Sequence, residues 1–264
     1  HELVWFMTGQ SNIKYLVDNN VHIWDDYPYK DYQKLVEAGK APELSKEDFI
    51  ERIGSDDKFA KKYGELPHIY GQQWRSWPRT NGESIDQLAW ILNNIKNFPE
   101  RKHSVLTVWN PEHLYSMALP GEALSFPLCH ILIHFNVADG KLSCQLYQRS
   151  ADMFLGVPFN IGSYAALTQI MAHLAGLKVG EFVHTFGDAH VYSNHIDQVK
   201  EQLGRKPRAF PTLTIDPKLK ELDAVKAEHI SLEGYDPHPM IKGELTVAGG
   251  FQEKDRREFA KQKA

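Results

Sequence analysis

The spacing of apolar side chains predicts helices in three parts of the chain. Apolar positions share one helical face on both sides of Gly9, Ser84 is placed to cap the second stretch, and Gly176 to end the third. The three stretches are residues 2–18, a run through residues 88–95, and Ser163–Ala175.

Short runs of β-branched and aromatic residues predict strands between and after these helices. The runs are Ser104–Trp109, Ile131–Val137, Leu142–Tyr147, Glu181–Gly187 and Thr212–Ile215. Asp139 and Gly140 lie between the second and third runs, and this pair is typical of a hairpin turn. Because helices and strands mix without strict βαβ alternation, the pattern favours an α+β fold.

The segment of about residues 29–62 is polar and carries helix-start signals, such as Ser45 shortly before Phe49. It lacks apolar residues for its own core, so we expect a helical insertion on one domain spanning residues 1–264. The end of the chain, from about residue 244, is highly charged and is expected to be solvated.

Composition narrows the class of protein. The 264 residues include 30 Lys and Arg against 34 Asp and Glu, a net charge of −4, which argues against a dedicated nucleic-acid site or binding to a membrane surface. No apolar run is long enough to span a membrane, and the opening run stops at Thr8 without the basic lead-in of a signal peptide. Two cysteines exclude a disulfide framework, and we expect a cytoplasmic protein.

Cys129 is the first candidate for chemistry. It stands just before a predicted strand, and a thiolate is a strong nucleophile when nearby positive charge helps it to ionise. A buried small hydrophobe is the commoner role of a lone cysteine. Cys144 alternates with apolar neighbours inside a strand, so that role is expected there.

A second candidate is the run YQRSADMFLGVPFN at residues 147–160. Arg149 offers a planar fork suited to phosphate, and Asn160 pairs a donor with an acceptor, as the reading of a pyrimidine edge requires. Ser150 and Asp152 are further polar groups of ligand type, although on composition alone the run is equally typical of a turn.

Three histidines, His184, His190 and His195, raise the question of a metal site. The spacing of the last two does not place them on one helical face, and HExxH is absent, so no metal is expected and hydrogen bonding within a ligand loop is preferred. The sequence also lacks GxxxxGK[ST], GxGxxG and GxSxG, the motifs of phosphate loops and serine hydrolases.

Residues 146–203 closely resemble the thymidylate synthase family. The resemblance extends to HELVWFMTGQSNIKYL, VHIWDD, YGQQWRSW, IDQLAWILNNIKNFP, VWNP and EGYDPHPMIK. It implies an α+β fold with a large mixed sheet packed with helices, the sheet also forming a homodimer interface. It further implies the methylation of dUMP to dTMP, with 5,10-methylenetetrahydrofolate as donor of the one-carbon unit and the hydride.

The resemblance implies five catalytic residues. Cys129 matches the nucleophile that adds to carbon 6 of uracil, and Arg149 matches an arginine whose charge favours the thiolate. Glu2 matches a glutamate that organises proton transfer, and Tyr70 a tyrosine that assists proton removal from carbon 5. Asn160 matches the asparagine that reads uracil, since cytosine-using relatives carry Asp there.

The same resemblance implies two sets of binding residues. Those implied for dUMP are Arg149, Ser150, Asn160, His190, Tyr192, Lys102 and His103, of which the last two reach across a dimer. Those implied for the folate are Ile23, Trp24, Asp152, Leu155, Gly156 and Phe159.

Five features depart from the family pattern. Lys102 and His103 replace two arginines, which removes a bidentate fork, and Tyr27 replaces a tryptophan of the folate wall. The residues PGEALSF intrude before Cys129, where Leu128 replaces a proline. The family places an arginine loop and a strand before the helix that opens this sequence, and it ends soon after the Ile-Lys pair that here precedes more than twenty residues.

Two other functions are compatible with these departures. One is a dUMP hydroxymethylase, in which water captures the one-carbon intermediate. The other is a nucleotide-binding paralogue without catalysis. Product analysis separates the first from a thymidylate synthase, and covalent trapping by 5-fluoro-dUMP separates the second.

Overall fold

Helices and strands follow one another irregularly along the chain, as the α+β prediction requires. A computed structural model describes residues 1–114, 117, 118, 124, 126 and 128–245. The described helices are α1 (Glu2–Met7), α2 (Lys14–Asp18), α3 (Asp26–Glu37), α4 (Lys46–Ser55), α5 (Asp57–Tyr63), α6 (Tyr70–Arg75), α7 (Gln87–Asn97), α8 (Gly156–Ala175) and α9 (Ile196–Leu203). The strands are β1 (Trp77–Pro78), β2 (Ser84–Ile85), β3 (Val105–Thr107), β4 (His130–Ala138), β5 (Lys141–Asp152), β6 (Lys178–His190), β7 (Thr212–Ile215) and β8 (Ile230–Glu233).

A four-stranded mixed sheet, ordered β3-β4-β5-β6, carries the site. β3, β4 and β5 pair antiparallel, whereas β5 and β6 run parallel with α8 between them in the chain. The predicted hairpin turn between β4 and β5 is confirmed, because Asp139 and Gly140 both have positive φ, 50° and 70°. Leu142, Cys144 and Leu146 are buried on the inner face of β5, so Cys144 has the predicted core role.

The long helix α8 ends at Gly176, as predicted, in the left-handed conformation that favours glycine. It begins at Gly156, seven residues before the predicted start. Asp152 causes this earlier start, because its Oδ1 accepts the backbone N–H groups of Phe154 and Leu155 and turns the chain into the helix. Pro158 is tolerated because it lies in the first turn.

Two of the helix predictions are wrong in their details. Residues 2–18 form two helices, because Gly9 has φ 71° and the chain turns there before α2. Ser84 lies in β2, and the cap of α7 is Asp86, whose carboxylate accepts the N–H of Ala89 at 2.9 Å.

The predicted insertion folds as α3, α4 and α5, with Ser45 capping α4 as expected. Its buried side chains belong to the same hydrophobic core cluster as those of the other described elements, and its aromatic rings pack on one another. Tyr32 lies 5.1 Å from Phe49 and 5.0 Å from Tyr63 between ring centroids. Aromatic residues therefore carry much of the contribution of this segment to the common core, where its aliphatic pattern is weak.

The predicted charged tail falls largely outside the described residues, as does most of the PGEALSF segment. Across the part of the chain that the structure describes, no helix has the length and apolar character needed to cross a membrane.

Candidate active site

Cys129 lies immediately before β4, and its backbone is fixed by a side chain from α6. The Tyr70 hydroxyl accepts the N–H of Cys129 at 2.7 Å and that of His130 at 3.4 Å. Tyr70 is buried at the start of α6, so this phenol is held in place by the core. The two predicted residues, 59 positions apart, therefore meet.

Arg149 approaches the same cysteine from the neighbouring strand β5. Its backbone N–H donates to the Cys129 carbonyl at 2.9 Å, and its Nε donates to the carbonyl of Leu128 at 2.8 Å. These contacts leave Nη2 3.9 Å from Cys129 Sγ. The guanidinium is thus anchored beside the thiol by the strand that carries it.

The electrostatic effect of Arg149 is smaller than the sequence suggests. Burial raises the pKa of the Cys129 thiol, and the Arg149 charge lowers it by less, so the net shift is upward. The expected thiolate-favouring contact is present, but desolvation of the thiol outweighs it. Without ligand, Cys129 is a neutral thiol at neutral pH.

Asn160 is oriented by a buried residue that the sequence analysis missed. Gln148 Nε2 donates to Asn160 Oδ1 at 3.0 Å and to the Ser150 carbonyl at 2.9 Å. Gln148 Oε1 in turn hydrogen-bonds His184 Nε2 at 2.9 Å. Because Gln148 continues the inward positions of Leu146, strand alternation was the signal that could have found it.

His130 is a second missed residue behind the thiol. Its ring stacks on Tyr70 with centroids 4.7 Å apart, and burial lowers its pKa to about 3. The imidazole is therefore neutral, and it brings no charge next to the Tyr70 phenol. Burial also raises the Tyr70 pKa well above its ordinary range, so this phenol keeps its proton.

Glu2 reaches the site from the first turn of α1. Its Oε1 accepts the indole N–H of Trp24 at 2.7 Å. Burial raises the pKa of Glu2, and the Trp24 hydrogen bond opposes this shift. A carboxyl group with a raised pKa is suited to exchanging a proton near neutral pH.

An aromatic cluster borders the thiol. Trp24 lies 5.5 Å from Tyr27 and 6.1 Å from Tyr70 between ring centroids. Burial raises the pKa of Tyr27 to about 12, and the charge of Cys129 adds to the shift. Ile23 and Phe159, expected in the same apolar wall, are exposed, Phe159 by 60%.

The parallel pairing of β5 and β6 gathers the remaining polar residues. Ser150 lies opposite Asp188, and Asp152 lies opposite His190, at the carboxyl ends of both strands. The rings of His190 and Tyr192 lie 5.0 Å apart. Leu155 and Gly156 follow directly at the start of α8.

Lys102 and His103 are exposed and lie in the segment between α7 and β3. Lys102 Nζ donates to Asn136 on β4 at 3.3 Å, and the His103 ring lies 5.6 Å from that of Trp90. Their contacts with these residues do not join them to Cys129.

Among the described residues, no group of three or more His, Cys, Asp and Glu side chains could hold a metal ion. His184 bonds Gln148, and His195 Nε2 bonds the Glu244 carbonyl at 2.8 Å, so these rings serve separate hydrogen bonds.

The fold is a mixed sheet packed with helices. The site brings together the Cys129 thiol, the Arg149 guanidinium and the Glu2 carboxyl, whose pKa is raised, and this combination is typical of an α+β enzyme. The thymidylate synthase family model matches residues 1–247. A thymidylate synthase of Listeria innocua serovar 6a is 47% identical over 264 residues, which cover 93% of this chain and 82% of that protein. The chain belongs to the thymidylate synthase family. It is a methyltransferase with thymidylate synthase function.

Proposed function

We propose that the chain converts dUMP to dTMP by reductive methylation, with Cys129 as the nucleophile. The observation that carries the proposal is the placement of Cys129 Sγ 3.9 Å from Arg149 Nη2, on the strand whose Gln148 orients the amide of Asn160. The 5,10-methylenetetrahydrofolate, when bound, supplies the one-carbon unit and the hydride.

Cys129 loses its proton, and its sulfur forms a bond to carbon 6 of the uracil ring while the carbon 5–carbon 6 double bond opens. The electron pair moves toward oxygen 4 and makes carbon 5 nucleophilic. The bound folate would bond its one-carbon unit to carbon 5. Loss of the carbon 5 proton would then expel the folate nitrogen, and hydride from the tetrahydrofolate would reduce the remaining methylene to methyl and leave dihydrofolate. The carbon–sulfur bond breaks in the same step and releases the thiolate of Cys129. Arg149 stabilises the thiolate both before it adds to carbon 6 and after it is released.

Two further groups handle protons. Glu2, with its raised pKa, exchanges protons with water and oxygen 4 of the pyrimidine. Tyr70, a phenol that keeps its proton, orders the acceptor that takes the proton from carbon 5. The hydrogen bond from Cys129 to Tyr70 supports this assignment, because it places the phenol at the nucleophile.

We assign dUMP to the polar ends of β5 and β6. Arg149 and Ser150 bind the phosphate, Asn160 bonds the uracil edge, and His190 and Tyr192 bond the deoxyribose hydroxyl. Lys102 and His103 serve the phosphate of a partner subunit, which is consistent with their exposed place away from this chain's thiol.

The folate site is assigned to the aromatic cluster and the start of α8. A flat heteroaromatic ring suits the Trp24 face, and Ile23, Leu155, Gly156 and Phe159 extend the wall. Asp152 holds the pterin through the oxygen that does not cap the turn, since Oδ1 accepts two backbone N–H groups.

A homodimer through the sheet is part of the proposal. No residue of β6 is buried, and the face opposite α8 carries exposed apolar side chains. The register sets Leu132 beside Tyr147, and Val105 and Val183 stand on the same face. An apolar sheet face of this kind is typical of a permanent interface. Cys129 and Cys144 are not joined in a disulfide, which favours the reducing cytoplasm.

Product formation tests the proposed function. Purified protein with dUMP and methylenetetrahydrofolate should yield dTMP and dihydrofolate in equal amounts. Cys129→Ala should abolish both products, whereas Cys144→Ala, at the core thiol, should retain them. Accumulation of 5-hydroxymethyl-dUMP without dihydrofolate would contradict reductive methylation.

A further inference from the structure

Phe126 lies three residues before Cys129, at the end of the PGEALSF segment that departs from the family pattern. It is one of the few residues described between Leu114 and Leu128. Its side chain is only 3% exposed, so it packs into the protein rather than extending from it.

Phe126 packs against both aromatic residues that border the thiol. Its ring centroid lies 5.8 Å from that of Trp24 at an interplanar angle of 79°, and 5.5 Å from that of Tyr27 at 69°. Trp24 and Tyr27 are themselves 5.5 Å apart. The three rings, the aromatic triad of Trp24, Tyr27 and Phe126, therefore form a nearly equilateral set, in which Phe126 makes the two edge contacts at favoured distances and the Trp24–Tyr27 pair is tilted.

The triad is tied to the reacting groups at two points. Trp24 donates its indole N–H to Glu2, and its ring lies 6.1 Å from that of Tyr70, whose hydroxyl accepts the backbone N–H of Cys129. Phe126 contacts the other two rings of the triad at once, and the chain carries it to Cys129 within three residues. A substitution at Phe126 therefore changes the packing of Trp24 and Tyr27 directly, and it can affect the residues of the sheet only through them.

We propose that Phe126 is a positioning residue for the folate: it fixes the mutual orientation of Trp24 and Tyr27, and so sets the surface that receives the pterin. This inference rests on the proposed function for the identity of the ligand. Phe126 compensates for the small Tyr27 ring, because a third aromatic edge fills the space beside it. The residues of β5 and β6 assigned to dUMP lie outside the triad, so Phe126 acts on folate affinity and not on dUMP affinity.

The test compares Phe126→Leu, which keeps an apolar side chain, with Phe126→Tyr, which keeps the ring. Binding of tetrahydrofolate to the dUMP-saturated protein is measured by calorimetry, so the readout does not depend on turnover. An edge-to-face pair contributes enough for about a tenfold rise in Kd to be expected in Phe126→Leu. Phe126→Tyr should stay within about twofold of the parent, a difference too small to mark a lost aromatic contact. The Kd for dUMP should be unchanged in both variants.

Two controls complete the design. Phe210→Leu removes a ring that is 96% exposed and should alter neither Kd. Combining Phe126→Leu with Tyr27→Leu should weaken tetrahydrofolate binding by less than the product of the separate changes, because both act through one surface.

Equal weakening of dUMP and tetrahydrofolate binding, or unchanged tetrahydrofolate binding in Phe126→Leu, would overturn the inference. Tighter binding would also overturn it, because Phe126 would then obstruct the folate. Formation of dTMP by the parent protein is assayed in parallel. Its absence would count against the proposed function, while the Kd ratio would still decide the role of Phe126.

Discussion

The Arg149 guanidinium lies 3.9 Å from the Cys129 thiol because β4 and β5 are joined at that point by a backbone hydrogen bond. Burial of the thiol nevertheless keeps its pKa above the ordinary value. The site therefore holds a neutral thiol, and the neighbouring Arg149 cation favours its ionisation.

Removing that cation should make Cys129 less reactive. Arg149→Gln raises the thiol pKa further, so the thiolate fraction falls at every pH below that pKa. An opposite charge at this distance commonly shifts a pKa by a unit or more, so alkylation at neutral pH should slow by roughly tenfold.

The measurement is the rate of iodoacetamide modification against pH in the Cys144→Ala background. The modification rate of the parent should keep rising above pH 8. In Arg149→Gln the same rise should occur at higher pH. Arg79→Gln removes an exposed arginine and should leave the curve unchanged. Superimposable curves for the parent and Arg149→Gln would mean that Arg149 does not act on the thiol.

Gln148 should affect kcat/KM for dUMP as strongly as a residue that contacts dUMP directly. Gln148→Leu leaves Asn160 Oδ1 and His184 without their buried partner. An unpaired buried group costs about 1–3 kcal/mol, so kcat/KM for dUMP should fall by roughly tenfold to a hundredfold. Steady-state kinetics with varied dUMP measure the effect.

A matched control is Gln202→Leu, which removes an exposed amide from α9. It should leave kcat/KM for dUMP unchanged. If Gln148→Leu matched the parent, the orientation of Asn160 would not depend on Gln148. A similar loss in both variants would point to an effect of the substitution itself.

The exposed sheet face should form the dimer interface. Val183→Glu sets a charge among the apolar side chains of that face, so the dimer should dissociate at micromolar protein. Light scattering coupled to size exclusion measures the mass. Leu203→Glu, on exposed α9, is the control and should remain dimeric. A monomeric parent protein would disprove the interface.

Local chemistry explains why some elements could be predicted from the sequence. The Asp139-Gly140 turn and the Gly176 helix end depend on residues that tolerate positive φ, so each is encoded where it occurs. The cap of α7 was assigned to the wrong residue because Ser84 and Asp86 can both cap a helix. The pairing of β1 with β2 decides between them, and that pairing is a tertiary property.

The site shows the same division. Strand alternation marks Gln148 as an inward polar residue, yet its contact with Asn160 depends on how α8 packs on β5. The meeting of Tyr70 with Cys129 joins residues far apart in the chain and follows only from the assembled core. Likewise, no periodicity in the sequence indicates that Phe126 packs on Trp24.

The most direct test of the account is covalent trapping of Cys129. Protein incubated with 5-fluoro-dUMP and methylenetetrahydrofolate is examined by intact mass spectrometry. The account predicts a mass increase equal to both ligands in the parent and in Cys144→Ala, and none in Cys129→Ala. An adduct that persists in Cys129→Ala, or binding without any adduct in the parent, would contradict the assignment of Cys129 as the nucleophile.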